Sequence, residues 1–110
     1  MRPCPRRLQV ANPLLHNYTM VYVRYCDGAY YSGRRAAPVI VGNQSLHFAG
    51  AHITEAVVAE LAKSAGLRAA TDVVVSGCSA GGIRVYAHLD QIRAMLPAAA
   101  RVVGASLDTK

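Results

Sequence analysis

The sequence GCSAGG at residues 77–82 constrains the fold of this chain more than any other segment. Residues 71–76 before it have the valine-rich composition of a buried parallel strand. Four apolar residues after it recur at spacings of four, three and four: Val85, Leu89, Ile92 and Leu96. That spacing predicts a helix with one apolar face, from about residue 80 to residue 96, where Pro97 ends it. The segment therefore predicts a strand, a sharp glycine turn and a helix.

Ser79 lies at the centre of this turn, in a GxSxG pattern. In a nucleophile elbow, a strained turn of this kind exposes a serine hydroxyl, and small neighbouring residues let the strand and the helix approach closely. The first amide of the helix, that of Ala80, would donate to the oxyanion that forms during acyl transfer. A structural turn serine is the alternative. A phosphate-binding turn is disfavoured, because Ile83 stands where the P-loop pattern has a lysine.

The remaining pattern predicts two strand-helix-strand units. We expect a first strand at residues 19–25, a long loop at residues 34–45, a helix at residues 51–65 that Gly66 ends, and a last strand near residues 101–105. Parallel strands joined by crossover helices define the α/β class. Three such strands would leave sheet edges bare, and 110 residues are few for a complete hydrolase, so we expect a fragment.

The domain boundary follows from the prolines. Pro3, Pro5 and Pro13 interrupt any regular element, so residues 1–18 are predicted to be irregular. Residues 19–110 are predicted to form one partial α/β domain. The charged residues at the start precede no apolar stretch, so we identify no signal peptide in this chain, and no apolar run is long enough to span a bilayer.

Charge narrows the range of partners. The chain has 12 Lys and Arg against 6 Asp and Glu, a net charge of +6. A solvated basic surface fits this balance, and so does attraction of a polyanion such as an acidic polysaccharide. We expect no nucleic-acid partner, since neither zinc-finger spacing nor an aromatic RNA-binding signature is present. We also expect no cofactor and no metal, because no histidines and acidic residues have ligand spacing.

Four motifs carry a resemblance to a known family. They are Asn12-Pro13, YCDG at residues 25–28 with Ser32-Gly33, LHF at residues 46–48 with Gly50, and GCSAGG at residues 77–82. In this order the chain resembles the pectin acetylesterase family over about residues 12–104. The same superfamily contains the Notum carboxylesterases, but YCDG and GCSAGG are more similar to the plant and microbial type.

The resemblance implies a partial α/β-hydrolase-like fold of three layers, in an extracellular or cell-wall enzyme. The implied reaction is the release of acetate from acetylated pectin or a related polysaccharide by a Ser, Asp and His triad. Ser79 matches the nucleophile. The family's acid and histidine come much later in the chain, so we expect this chain to lack both and to be inactive alone. Alternatives are a truncated, non-catalytic pseudoenzyme or glycan-binding fragment, and a Notum-like deacylase.

Several other residues are candidates for a role in the site. Asp27 and Gly28 follow the predicted first strand, where Asp27 is either a turn-capping residue or, with Gly28, part of a substrate pocket.

His88 lies about two and a half turns beyond Ser79 on the same helix, too far to act as its base, and His47 and His52 are more consistent with packing or capping. Neither Asp90 nor Asp108 is expected to be the triad acid. Asn17 and Asn43 begin glycosylation sequons, which matter only if the chain is secreted.

Overall fold

A computed structural model describes residues 12–107, which form a small α/β arrangement. The elements in chain order are β1 (Val39–Val41), β2 (Gln44–Leu46), α1 (Gly50–Ser64), a 3-10 turn (Leu67–Ala69), β3 (Asp72–Cys78), α2 (Ala80–Met95) and β4 (Arg101–Leu107). The predicted α/β class is confirmed. Neither helix of the described residues has the length and apolar character needed to cross a membrane.

The centre of the fold is the unit β3-α2-β4. Strands β3 and β4 pair in parallel over their full length, from Asp72 opposite Arg101 to Cys78 opposite Leu107. Helix α2 packs on this pair, and Val85 and Ile92 from its predicted apolar face are buried, as is Leu96 just beyond its end. The sequence predicted these three elements to within two residues at each end.

Helix α1 also lies where the sequence placed it. It begins at Gly50, one residue before the predicted start, and ends at Ser64. The amide of Ala65 donates to the carbonyl of Leu61 at 3.1 Å, and Gly66 follows with φ 73°. A left-handed residue just after the last turn is the usual glycine stop of a helix, so the predicted role of Gly66 is confirmed.

The prediction of a strand at residues 19–25 is wrong. No strand forms between residues 12 and 38 of the described chain, and side chains such as Met20 and Tyr22 are 72% and 88% exposed. A β-rich composition is not enough for a strand, which needs a neighbour with which to exchange backbone hydrogen bonds. No described strand pairs with this segment, so the first predicted strand-helix-strand unit is not formed here.

The predicted loop at residues 34–45 contains a hairpin instead. Strands β1 and β2 pair antiparallel, with Val41 opposite Gln44. The two residues between them are Gly42 and Asn43, and Gly42 has φ 58°. A type II′ turn needs a positive φ at its first central position, so Gly42 supplies the turn that closes this hairpin.

The packing of α2 makes a stability prediction. Ile92 is 7% exposed, whereas Ile83 on the same helix is 49% exposed. Replacing Ile92 with Ala leaves a cavity against the β3-β4 pair and should lower the free energy of unfolding in urea by about 2–5 kcal/mol. The matched change Ile83→Ala should alter it by about 0.5 kcal/mol or less. Equal losses in the two variants would contradict the described packing.

Candidate active site

Ser79 joins the end of β3 to the start of α2 in a strained backbone conformation. Its φ is 52° and its ψ is −119°, a combination that is costly for a residue with a side chain. Two backbone hydrogen bonds hold it there: its amide donates to the carbonyl of Leu107 on β4 at 3.3 Å, and its carbonyl accepts from the amide of Ile83 at 3.0 Å. Strain maintained by such bonds is typical of functional sites.

Glycines allow β3 and α2 to approach at this turn. A Cβ at Gly77 would run into the backbone carbonyl of Gly81. A Cβ at Gly82 would lie 2.7 Å from the Ser106 Oγ and 3.1 Å from the Gly77 carbonyl oxygen. A side chain at Gly77 would therefore push the helix away from the strand, and one at Gly82 would displace the Ser106 side chain and crowd the Gly77 carbonyl. The close approach that the sequence suggested is what these two glycines provide.

An open depression of about 410 Å³ lies beside the serine. Its lining residues are Ser79, Ile83, Tyr86, Ser106 and Leu107. Ser79 is exposed, so its hydroxyl is accessible to a ligand in this depression. Ala80 is the first residue of α2, and a first helical amide has no acceptor within its own helix. The turn thus combines an accessible hydroxyl with a helix N-terminus that can stabilise negative charge.

Among residues 12–107, no histidine forms a hydrogen bond to Ser79. His47 Nε2 lies 3.4 Å from the Ser45 Oγ, and His52 Nδ1 lies 3.7 Å from the Glu55 Oε2. His88 has non-helical angles of φ −133° and ψ 17° within α2, and its Nδ1 is buried without a hydrogen-bond partner. Asp90 is exposed, whereas Asp108 lies outside the described residues.

The described part of the chain brings together no three His, Cys, Asp or Glu side chains that could hold a metal ion. Cys26 and Cys78 are exposed free thiols, and Cys4 lies outside the described residues. The sequon residues Asn17 and Asn43 are both exposed, the second of them in the hairpin turn. Both amide side chains are therefore accessible to a modifying enzyme.

Asp27 organises the loop before the hairpin. Its Oδ1 accepts the amides of Ala29 at 3.0 Å and Tyr31 at 3.1 Å, and its Oδ2 accepts those of Gly33 at 3.2 Å and Gly50 at 3.0 Å. Burial alone would raise the pKa of the Asp27 carboxyl, but these four hydrogen bonds outweigh it and lower the pKa. The carboxylate thereby links the loop to the first residue of α1.

Glycine is needed where the chain meets this carboxylate. A Cβ at Gly50 would collide with the carboxylate of Asp27, and one at Gly33 would lie 3.0 Å from the Asp27 Oδ2. Gly28 differs, because it has φ 63° and open space around it. The motif residues Asp27, Gly33 and Gly50, which are far apart in sequence, therefore meet at one point. Sequence analysis offered Asp27 as a capping residue but did not predict this four-amide arrangement.

Sequence analysis also gave no sign of Arg84. This side chain lies on α2 beside the elbow and is 6% exposed, although arginine is seldom so deeply buried. No sequence pattern indicated that Arg84 would be buried. The apolar face predicted for this helix begins at its neighbour Val85 and does not include Arg84.

A strand, a strained turn that carries a serine and a helix are the arrangement that α/β-hydrolase-like ester hydrolases have around their nucleophile. The sequence model of the family described as "PAE: Pectinacetylesterase" matches residues 6–108. The chain therefore belongs to the pectinacetylesterase family, and the suspected resemblance is confirmed.

Curated relatives agree with this assignment. The chain is 38% identical to pectin acetylesterase 7 of Arabidopsis thaliana over 94 residues, which are 86% of this chain and 23% of that protein. It is 43% identical to pectin acetylesterase 5 of the same plant over 91 residues, 83% of this chain and 21% of that protein. It is 32% identical to the palmitoleoyl-protein carboxylesterase NOTUM of Schmidtea mediterranea over 85 residues, 77% of this chain and 15% of that protein.

The chain thus spans 23% or less of the length of these relatives. No solved structure matches it.

The Asp27 arrangement makes a pH-dependent prediction. Asp27→Asn removes the negative charge of the group that accepts hydrogen bonds from four backbone amides. It should therefore lower the free energy of unfolding by roughly 1.5–3 kcal/mol at neutral pH. Because the folded-state pKa is lowered, the stabilisation is fully present above the ordinary aspartate pKa of about 3.9 and is lost as pH falls through the folded-state value. The difference between wild type and variant, measured by urea unfolding, should therefore shrink below about pH 3.9.

The control is Asp90→Asn, since Asp90 is exposed on α2. It should leave stability within about 0.5 kcal/mol of wild type at every pH. An Asp27→Asn variant as stable as the Asp90→Asn variant would show that the four hydrogen bonds do not organise the loop.

Proposed function

We propose that this chain carries the nucleophile of a serine carboxylic ester hydrolase that releases acetate from acetylated pectin or a related polysaccharide. The observation that carries the proposal is the backbone of Ser79, whose φ of 52° at the junction of β3 and α2 presents its side chain at an open depression. The names of the plant relatives are the basis for choosing an acetyl ester and pectin as the proposed substrate.

In the proposed reaction, the Ser79 Oγ attacks the acetyl carbonyl carbon and loses its proton to a base. The amide of Ala80 donates to the resulting oxyanion. The sugar oxygen leaves with a proton, an acetyl-serine remains, and water hydrolyses it to acetate and free serine. Since no histidine among residues 12–107 bonds to Ser79, we place the base and its partner carboxylate outside these residues. The chain alone should therefore be almost inactive.

The remaining candidate residues take secondary roles in this proposal. Both oxygens of Asp27 are occupied by backbone amides, which supports a loop-organising role rather than a direct contact with substrate. Gly28 is exposed on the same loop and stays a candidate for the substrate pocket. An extracellular or cell-wall location fits the proposed substrate, and there the exposed Asn17 and Asn43 would be glycosylation sites.

A second candidate is removal of a longer acyl chain. Three residues of the depression, Ile83, Tyr86 and Leu107, are apolar or aromatic and exposed, so they could contact more than an acetyl methyl group. The NOTUM relative of Schmidtea mediterranea is named for acting on palmitoleoyl-protein. The 38% and 43% identity to the two plant enzymes named above, against 32% to this NOTUM, favours acetate as the acid that is released.

The proposal is tested by acetate release. The chain should be expressed alone and together with the coding sequence that flanks it on both sides, and each product assayed on acetylated pectin and on an octanoyl ester. We expect near-background rates from the chain alone and acetate release from the extended product. Ser79→Ala should reduce that release by about 10,000-fold or more, because the nucleophile is lost.

The control for this change is Ser64→Ala, on the exposed end of α1, which should leave the rate unchanged. Full activity of the extended Ser79→Ala product would refute Ser79 as the nucleophile. Ser79-dependent turnover by the chain alone would refute the placement of the base outside residues 12–107. Faster release of octanoate than of acetate would favour the second candidate.

A further inference from the structure

Ser106 places a second hydroxyl beside Ser79. Both residues line the same open depression of about 410 Å³, and both are exposed. Ser106 is the sixth residue of β4, where it lies opposite Gly77, two residues before Ser79. The next residue, Leu107, accepts the Ser79 amide with its carbonyl at 3.3 Å. Backbone pairing therefore holds the two serines at neighbouring strand ends that open into one cavity.

The side chain of Ser106 points toward the start of α2. A Cβ at Gly82, in the first turn of that helix, would lie 2.7 Å from the Ser106 Oγ. A Cβ at Gly104, two residues earlier on β4, would lie 2.6 Å from the Leu89 Cδ2 on the same helix. Because alternate residues of a strand face the same side of the sheet, both observations place Ser106 on the helix side. The absence of a side chain at Gly82 leaves room for its hydroxyl.

The Ser106 hydroxyl is free to bind a ligand. The hydrogen bonds that serine and threonine hydroxyls form within residues 12–107 include none from Ser79 or Ser106. By contrast, Thr54 and Ser64 on α1 donate to carbonyls four residues earlier in their own helix. A hydroxyl has one proton to donate. That of Ser106 therefore remains available in the depression.

The other residues of the depression make this hydroxyl chemically distinctive. Ile83 and Leu107 are aliphatic, and Tyr86 is 88% exposed, so its phenol extends toward solvent. An ester has oxygens that accept hydrogen bonds and no N–H or O–H to donate. In a site with a largely apolar lining, a few polar groups fix the orientation of the ligand. Ser106 is suited to orient an ester carbonyl for attack by the neighbouring serine.

We propose that Ser106 is a substrate-binding residue, whose hydroxyl donates a hydrogen bond to the ester held beside Ser79. This inference rests on the proposed function, since it concerns the ester that Ser79 attacks. An exposed, rotatable hydroxyl is not fixed in place as the backbone amide of Ala80 is, so it follows the ester oxygen throughout the reaction. It therefore contributes to affinity for the substrate, whereas the Ala80 amide stabilises the oxyanion selectively.

Three substitutions, made in the protein expressed with its flanking coding sequence, separate the hydroxyl from the size of the side chain. Ser106→Thr keeps the hydroxyl, Ser106→Val has the shape of the threonine without it, and Ser106→Ala removes it. With acetylated trigalacturonate, the Val and Ala variants should raise KM about 3- to 10-fold and change kcat by less than about 2-fold, as loss of one neutral hydrogen bond to the bound ester would. The Thr variant and the control Ser64→Ala should stay within about 2-fold of wild type in both constants.

Binding without turnover gives a second measurement. In a Ser79→Ala background, isothermal titration calorimetry should show that Ser106→Val weakens the binding of acetylated trigalacturonate by about the same 3- to 10-fold, and that Ser106→Thr does not. The affinity for deacetylated trigalacturonate should be equal in the two variants, because the proposed contact is with the ester. A purely structural role of Ser106 would change the affinities for both sugars together.

Several results would overturn the proposal. They are equal KM values in the Thr and Val variants, equal losses of affinity for the acetylated and deacetylated sugars, or a fall in kcat of about 100-fold or more at unchanged KM, which would make Ser106 an oxyanion donor. If neither β-branched variant folds, Ser106→Ala alone decides: its affinity should fall for the acetylated sugar and not for the deacetylated one.

The same measurements distinguish this proposal from the proposed function. Acetate release that depends on Ser79 and not on the Ser106 hydroxyl would support the esterase and refute the contact. Binding of the acetylated sugar that depends on the Ser106 hydroxyl, without acetate release from the extended product, would support the contact and refute the esterase.

Discussion

The close contact between β3 and the start of α2 is the constraint on which the rest of this structure depends. Gly77 lets the strand contact the backbone of the helix at Gly81, and Gly82 lets the helix lie against Gly77 and Ser106. With the elements so close, the one residue that turns the chain between them, Ser79, is left with a positive φ. The turn is also tied to β4, because the Ser79 amide donates to the Leu107 carbonyl. Fold and candidate nucleophile therefore share one cause.

A second organising centre lies at Asp27. The family motifs at residues 25–33 and 46–50 look unrelated in the sequence, but one buried carboxylate joins them through four backbone amides. Arg84 is its counterpart with the opposite outcome, because it is buried and has a side-chain nitrogen without a partner. Buried charge is tolerated at Asp27 because it is satisfied.

The sequence predicted those parts of the fold whose signals are local. Valines at residues 73–75 and the apolar repeat after Val85 located β3 and α2, and Gly66 located the end of α1. Strand pairing is not local, and residues 19–25 were wrongly predicted as a strand because no described strand pairs with them. The hairpin was missed because each strand has three residues, too few for a period.

The candidate site was predictable in the same measure. The motif at residues 77–82 indicated Ser79 and the amide of Ala80 from sequence alone, because a glycine turn between a strand and a helix has few other uses. The burial of Arg84 was not predictable, since it depends on how α2 packs against the other elements of the fold. A long charged side chain on a helix is ordinarily solvated, so only the three-dimensional structure distinguishes this one.

The central claim is that the strained turn makes Ser79 the reactive serine of the enzyme. Treating the protein, expressed with its flanking coding sequence, with a fluorophosphonate and mapping the modified residue by mass spectrometry tests this most directly. The account predicts rapid phosphonylation at Ser79 and no rapid labelling in the Ser79→Ala variant. Rapid labelling of another serine, or equal labelling of that variant, would contradict it.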